Sequence, residues 1–455
     1  MRTEKKKQSF LSGNEALGRG AYEAGLNFAA AYPGTPSTEI LQYLAQYDEI
    51  DSQWSVNEKV AYEVAFASAV AGKRSLFAAK HVGVNVAMDS LMTSAYIGVN
   101  GAFVIVSSGD PGLHSSQNEQ DNRRIAPFAK IPLIEPASPQ EAKDFISYAF
   151  QLSEDNDIPV LFHLTTRISH TKENVSISER TEVPRKPYEI NPRKTVMAPR
   201  MAYNRHIDLE KRLIRLKQIS ETSPLNRAEM NDTSLGFITS GLTYLYIKEM
   251  YPEASVLKLG MSYPFPEEKV RAFAKEVDKL VVVEELEPVI EDELRKLGIE
   301  HIAKDPSFRV GELRPEFIPM IVNREKKKEE EVTTRTPQLC ADCPHSYAFD
   351  ILKDMDVVVT GDIGCYTLGA LPPYKRLHTC LCMGASVTFM ESFSKALDKK
   401  VVGVIGDSTF FHTGVAGLIN AAYNGAKSLL LILDNSTTAM TGSQPHPGTG
   451  WTIKG

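Results

Sequence analysis

The sequence predicts an α/β protein of three parallel-sheet domains. Three observations point there. Short apolar runs alternate with helical patterns through residues 1–175. A compact strand–helix–strand–helix–strand rhythm fills 231–322, and a further strand–helix–strand unit lies within 337–455. Between them run a connecting segment, 176–230, rich in charge and proline, and a charged linker, 323–336.

The elements follow in chain order. Gly101–Ser107 and Ile158–Phe162 read as strands of the first region. The connecting segment carries no long apolar run, and its periodicity predicts one helix at Ile207–Ile219. In the second region Leu235–Ser240 is a strand, followed by a helix to Met250, a strand at Ser255–Leu259 and a helix at Glu267–Val277. Leu280–Val283 is the continuous apolar run of a strand covered on both faces. The stretch NREKKKEEEVTTRTPQ reads as solvated chain. Asp356–Thr360, Val401–Ile405 and Leu429–Leu433 are the strands of the third region.

Composition narrows the function classes. The chain has 455 residues, 42% hydrophobic and 24% charged, with a net charge of −6. That balance argues against a broad nucleic-acid surface, which needs a basic footprint. No apolar run approaches the roughly 18 residues of a membrane span, and the basic start MRTEKKKQSF leads into no signal-peptide core. A soluble, cytoplasmic protein is expected. The five cysteines, Cys340, Cys343, Cys365, Cys380 and Cys382, crowd into one window. An odd, local set suggests a site or buried thiols rather than a disulfide framework.

The most informative stretch is Val401 to Thr441. A strand ends in Gly406-Asp407-Ser408, and a helix follows with Val415, Leu418, Ile419 and Ala422 on one stripe. A second strand then ends in Asp434-Asn435. A right-handed crossover puts both strand ends on one sheet edge, where open α/β sheets bind ligands. A carboxylate from Asp407 and an amide oxygen from Asn435 are the hard donors that magnesium takes while sharing its shell with phosphates. Gly406 allows close backbone approach. Gly-Asp by itself is also an ordinary turn. The paired strand ends resemble the thiamine-diphosphate motif, which implies that Asp407, Asn435 and the carbonyl of Thr437 hold Mg²⁺ beneath the diphosphate. Ser408 stands where that motif usually has glycine.

Thiamine chemistry asks for one more group, a carboxyl against the aminopyrimidine ring. Glu58 opens the helix EKVAYEVAFASAVAG and shares an apolar face with Ala61 and Ala65, while Glu63 lies on a solvated face. Glu58 also suits the first turn of any helix, where the dipole favours negative charge. The stretch resembles the glutamate-bearing helix of the pyrimidine domain in 2-oxoacid:ferredoxin oxidoreductases. AYPGTPSTE is similar to their Tyr-Pro-x-Thr-Pro-Ser signature, which implies that Thr35 lies beside substrate and cofactor. From the residues alone, PGTPS is a turn before a helix capped by Ser37 or Thr38.

The likeness spans nearly the whole chain. KHVGVNVAMDSLM, GDPGLHSSQNEQDNR, FAKIPLIEPASPQEA, LCADCPHSYAF, GDIGCYTLGALPPY, CMGASV and NSTTAMTGSQPHPGTG resemble the alpha subunits of the indolepyruvate ferredoxin oxidoreductase family. The resemblance implies pyrimidine (1–175) and diphosphate (337–455) domains around a transketolase C-terminal-like middle domain. It also implies an aryl 2-oxo acid and coenzyme A as substrates, ferredoxin as acceptor, and a hetero-oligomer of alpha and beta subunits. The family's C-terminal ferredoxin-like domain, with its C-x2-C-x2-C-x3-C-P runs, has no counterpart in this sequence. The third domain is accordingly expected to be truncated, with an apolar face uncovered.

Cys340-Ala-Asp-Cys343 followed by Cys365 fits three of the four ligands of a proximal [4Fe-4S] cluster in related oxidoreductases. Zinc on Cys340, Cys343 and His345 with one more thiolate, or thiols with no metal, are the other readings. Two further functions stay open at this stage. A non-oxidative thiamine lyase needs the same Asp407, Asn435 and Glu58 without a cluster. A non-catalytic subunit or fragment needs only partners.

Overall fold

The computed structural model describes residues 7–328 and 338–454, so the second half of the charged linker lies outside the described residues. Contacts divide the chain into two compact units near residue 329, with residues 54–57 grouped with the second.

The first unit holds three sheets. The largest has seven strands in the order Met261–Tyr263, Leu133–Ile134, Val160–Thr165, Ala102–Gly109, Arg74–Lys80, Phe28–Ala31, Asp51–Trp54. The pairings from Leu133–Ile134 across to Phe28–Ala31 are parallel. Ala102–Gly109 and Val160–Thr165 are buried along their whole length. This explains why they read as continuous apolar runs rather than alternating ones. Met261–Tyr263 adds to one edge antiparallel, although in sequence it belongs with the second region. Ser12 starts the first helix with a reciprocal capping box to Glu15.

A four-stranded sheet follows, ordered Leu280–Val283, Asp232–Ser240, Ala254–Leu259, Asn226–Glu229. Its first three strands are parallel and Asn226–Glu229 closes one edge antiparallel. Phe237, Val256, Val281 and Val283 pack on one face, and Ile238, Leu257 and Val282 on the other. A two-stranded antiparallel ribbon pairs Gln8–Ser12 with Lys172–Ser176.

The helix predicted at Ile207–Ile219 extends over Pro199–Thr222. Only Leu209, Arg212, Leu216 and Ser220 of it are buried. Arginines hold the rest. Arg205 donates to the carbonyls of Tyr96 (2.9 Å) and Ile97 (2.9 Å), Arg212 to those of Tyr96 (3.2 Å) and Asp157, and Arg215 to Asn156. These acceptors end the helices Met88–Ile97 and Pro139–Asn156, where carbonyls lack intrahelical partners.

The second unit is built on a parallel sheet ordered Val358–Thr360, Val401–Gly406, Leu429–Leu433. One expectation fails here. Val415, Leu418, Ile419 and Ala422 read as a packing stripe, but the helix Val415–Tyr423 buries only Gly417 and Ala421. Ile419 is 65% and Tyr423 88% exposed, and Leu429 and Ile432 of the edge strand are exposed as well. Glycine and alanine let this helix approach its neighbour closely, so the small residues are the packed face.

Candidate active site

The site residues form two groups, one in each unit. In the second unit the parallel register pairs Gly406 with Leu433, so Asp407 and Asn435 leave the sheet at the same edge. Gly406 is required there, since a Cβ would come within 2.6 Å of the Tyr366 ring. Asp407 is buried, and its Oδ2 faces His446 Nε2 at 3.0 Å. The Ser408 hydroxyl shares a hydrogen bond with Thr438 at 2.8 Å. The exposed Asp434 carboxyl is held below the usual carboxylate range, first by the Ser436 N–H and then by its contact with Asp407.

One terminal atom of the Asn435 amide lies 3.2 Å from Asp407 Oδ1 and 2.9 Å from the Thr437 carbonyl oxygen. With nitrogen in that place both contacts are hydrogen bonds. With oxygen there, three oxygens converge. Adjacent corners of a magnesium octahedron are about 2.9 Å apart for metal–oxygen distances of about 2.0–2.1 Å. The donor set therefore fits the size and hardness of Mg²⁺ once the amide turns its oxygen inward.

In the first unit, Glu58 begins the helix Glu58–Val70 and is buried together with Ala61 and Ala65. The short helix His81–Val86 crosses it, and a Cβ on Gly83 would come within 2.6 Å of Glu58 Oε1. Glu63 is half-exposed, pairs with Lys59 and accepts from Ser90 at 2.8 Å. Thr35 follows the strand Phe28–Ala31, and its carbonyl accepts from the Ser115 hydroxyl at 3.3 Å. Neither Ser37 nor Thr38 caps the helix Thr38–Leu44 with its side chain. Both turn back on Gly34, Ser37 donating to its carbonyl (2.8 Å) and Thr38 accepting from its N–H (3.0 Å). The hydroxyls thus brace the loop that presents Thr35.

Two groups at these edges escape sequence reasoning. Asp110, buried after the strand Ala102–Gly109, accepts from Ser115 N, Ser116 Oγ and Thr166 Oγ1, and these bonds hold its carboxyl below the usual range against burial. His446 meets Asp407 only through the fold. QPHPGTG gives no periodic signal, and the two prolines that flank His446 are its local mark in the sequence.

The cysteines lie in the second unit. Cys340 is exposed, and Cys343 and Cys365 are half-buried. Burial raises the Cys365 pKa, and the neighbouring Cys343 and Cys340 raise it further, so the three thiols share one neighbourhood. His345 is buried, edge-on to Tyr366 and within the field of Asp407. Among the described residues no three His, Cys, Asp or Glu side chains are placed to hold a metal ion. The magnesium-type set above has only one carboxylate, with an amide and a carbonyl beside it.

Comparison with known proteins fits both groups. The family described as "Pyruvate flavodoxin/ferredoxin oxidoreductase, thiamine diP-bdg" matches residues 19–222. "Thiamine pyrophosphate enzyme, C-terminal TPP binding domain" matches 362–455. Indolepyruvate oxidoreductase subunit IorA of Archaeoglobus fulgidus is 40% identical, over 97% of this chain and 77% of its own. The chain belongs to the family of indolepyruvate oxidoreductase IorA subunits. The relative from Methanothermobacter marburgensis is 41% identical, over 96% of this chain and 77% of its own. Membership in the IorA family sets the reaction class as thiamine-diphosphate-dependent oxidation of a 2-oxo acid. The fold is shared with 2-oxoglutarate:ferredoxin oxidoreductase from Magnetococcus marinus, at a TM-score of 0.58 and 18% identity over 70% of this chain. This chain spans 65% of that one. Among the described residues no helix is long and apolar enough to cross a membrane.

Proposed function

We propose that the chain oxidatively decarboxylates an aryl 2-oxo acid of the indolepyruvate type, giving acyl-coenzyme A and carbon dioxide and passing two electrons to ferredoxin. In this reading it works with a beta subunit as a hetero-oligomer. Its domains are 1–175 for the pyrimidine ring, 231–322 as the middle domain and 337–455 for the diphosphate. Thiamine diphosphate, when bound, supplies the nucleophilic carbon and the electron sink.

The chain's own residues would bind and orient. Asp407, Asn435 and the Thr437 carbonyl would hold Mg²⁺ against the diphosphate, with Gly406 and Ser408 lining it. Glu58 would hold a proton against a ring nitrogen of the aminopyrimidine, and Thr35 would sit beside the substrate. A [4Fe-4S] cluster on Cys340, Cys343 and Cys365 enters this reading through the family resemblance alone, since the three thiols share one neighbourhood but are not arranged to hold a metal ion in this structure. The observation that carries the proposal is that Asp407, the Asn435 amide and the Thr437 carbonyl meet at paired strand ends, in a chain whose relatives are named as indolepyruvate oxidoreductases.

The test is calorimetric titration of the wild type and Asp407→Ala with thiamine diphosphate and magnesium. Removing a charged metal ligand should cost a few kcal/mol, on the order of 10²-fold or more in affinity. Equal affinity in the variant overturns the assignment.

A further inference from the structure

The carboxyl edge of the seven-stranded sheet carries a cation for which the roles assigned above leave no task. Lys80 is the last residue of the strand Arg74–Lys80 and is half-buried. Its ammonium donates to the Ser115 carbonyl and forms no ion pair with a carboxylate among the described residues. Burial lowers its pKa to about 8, opposed by the charges of Asp110 and then Glu58. Asp110 acts on it through its charge alone, without an ion pair, while its oxygens accept from Ser115, Ser116 and Thr166. An ammonium has three donors, and two of them remain for a ligand.

Position adds to this. A Cβ on Gly34 would lie 3.2 Å from Lys80 Cβ, so the lysine stem runs beside the loop that carries Thr35. Ser115 joins the two, taking the Lys80 ammonium on its carbonyl and giving its hydroxyl to the Thr35 carbonyl. Glu58 is close enough for its charge to act on the same ammonium.

We propose that Lys80 holds the carboxylate of the 2-oxo acid and thereby selects 2-oxo acids over neutral carbonyl compounds. This rests on the reading that Thr35 and Glu58 flank the reacting centre. The charges present favour a small monoanion. Lys80 offers one positive charge, while Asp110 nearby repels a polyanion such as the phosphates of coenzyme A. Lysine also suits a carboxylate that must leave as neutral carbon dioxide. A guanidinium fork grips a carboxylate through two bonds, whereas an ammonium orients it through a point contact. Ground-state grip that is lost in the transition state slows the chemical step.

The experiment uses the full chain assembled with its partner subunit and loaded with magnesium and thiamine diphosphate. Phenylpyruvate and its methyl ester are the probes, differing in the charge that Lys80 would read and in one methyl group. The wild type should bind the acid about 10²-fold more tightly than the ester, on the scale of one charge-assisted contact. Lys80→Met should bind both alike, with thiamine diphosphate affinity unchanged, and Lys80→Arg should recover part of the discrimination. Lys80→Met that still prefers the acid by the wild-type factor overturns the assignment and leaves the proposed function standing. Loss of thiamine diphosphate affinity in a folded Lys80→Met also overturns it, since Lys80 then serves the cofactor. A wild type that binds thiamine diphosphate but neither probe refutes the proposed function itself, and the Lys80 role with it. Should the variants fail to fold, acetylation footprinting of the wild-type complex decides the matter. Phenylpyruvate should protect Lys80 and its methyl ester should not; equal protection or none overturns the proposal.

Discussion

Gly83→Ala tests the Glu58 assignment without touching Glu58. The new methyl carbon would lie 2.6 Å from Glu58 Oε1, 2.8 Å from Cγ and 3.0 Å from Cδ. Ordinary carbon–oxygen contacts begin at about 3.3 Å, so the carboxyl must retreat by roughly 0.7 Å. The two helix backbones are fixed by their own hydrogen bonds, so the Glu58 side chain is the part that gives. Overpacking of this kind costs about 1–3 kcal/mol, while alanine returns up to about 1 kcal/mol of helix propensity over glycine. The net effect on stability is a loss of about 0–3 kcal/mol, which a melting curve reads without saying whether the carboxyl has moved. Proton chemistry is the sensitive measurement, because misplacing a reacting group by about 1 Å can cost on the order of 10²-fold in rate. Hydrogen–deuterium exchange at the thiazolium carbon of bound thiamine diphosphate, followed by NMR after acid quench, should slow by that order while cofactor affinity stays near wild type. Exchange at the wild-type rate in a folded Gly83→Ala would show that the reaction does not need the Glu58 carboxyl where the structure puts it.

Two further outcomes can be checked directly. Glu58→Gln should retain cofactor but slow the same exchange by about 10²–10⁴-fold, the usual scale for a positioned acid–base group; an unchanged rate leaves Glu58 as a helix-end acid. Iron analysis of anaerobically purified chain should give about four iron atoms if Cys340, Cys343 and Cys365 anchor a cluster, and the chain by itself should reduce ferredoxin poorly. Iron-free protein, or efficient ferredoxin reduction without the partner subunit, refutes the corresponding part of the reading.

Much of the fold is legible because parallel strands carry continuous apolar runs. Leu280–Val283 and Leu429–Leu433 form as read from the sequence, although each ends its sheet and only the first is buried throughout. The strands Asn226–Glu229 and Met261–Tyr263 were not legible, since short edge strands take their conformation from the neighbour they pair with. The helix Pro199–Thr222 was half legible because periodicity detects apolar anchors, and here arginines bonded to helix-end carbonyls anchor it instead. Asp407 and Asn435 stood out because they end two strands joined by one crossover, and Glu58 because it is an acid on an apolar helix face. Lys80, Asp110 and His446 did not, because what gives them partners is the meeting of strand ends far apart in sequence.

The proposed magnesium half-site depends on register more than on loop conformation. Asp407 lies one residue beyond Gly406 and Asn435 two beyond Leu433, the pair that closes the ladder. A slip of one residue would move Asn435 by about 3.3 Å and send alternate side chains to the opposite face. Two tight contacts oppose such a slip. Gly403 sits against Met390 and Leu430, where a Cβ would meet the Met390 sulfur at 2.9 Å and Leu430 Cδ1 at 3.1 Å. Gly406 sits against Tyr366, whose hydroxyl donates to the Ile363 carbonyl at 2.9 Å. The two glycines of VVGVIG thus sit where the strand packs most closely. Under the proposed magnesium assignment, the fixed ladder sets the spacing of the donors from separate strand ends, and the loop at 436–438 has only to supply the Thr437 carbonyl.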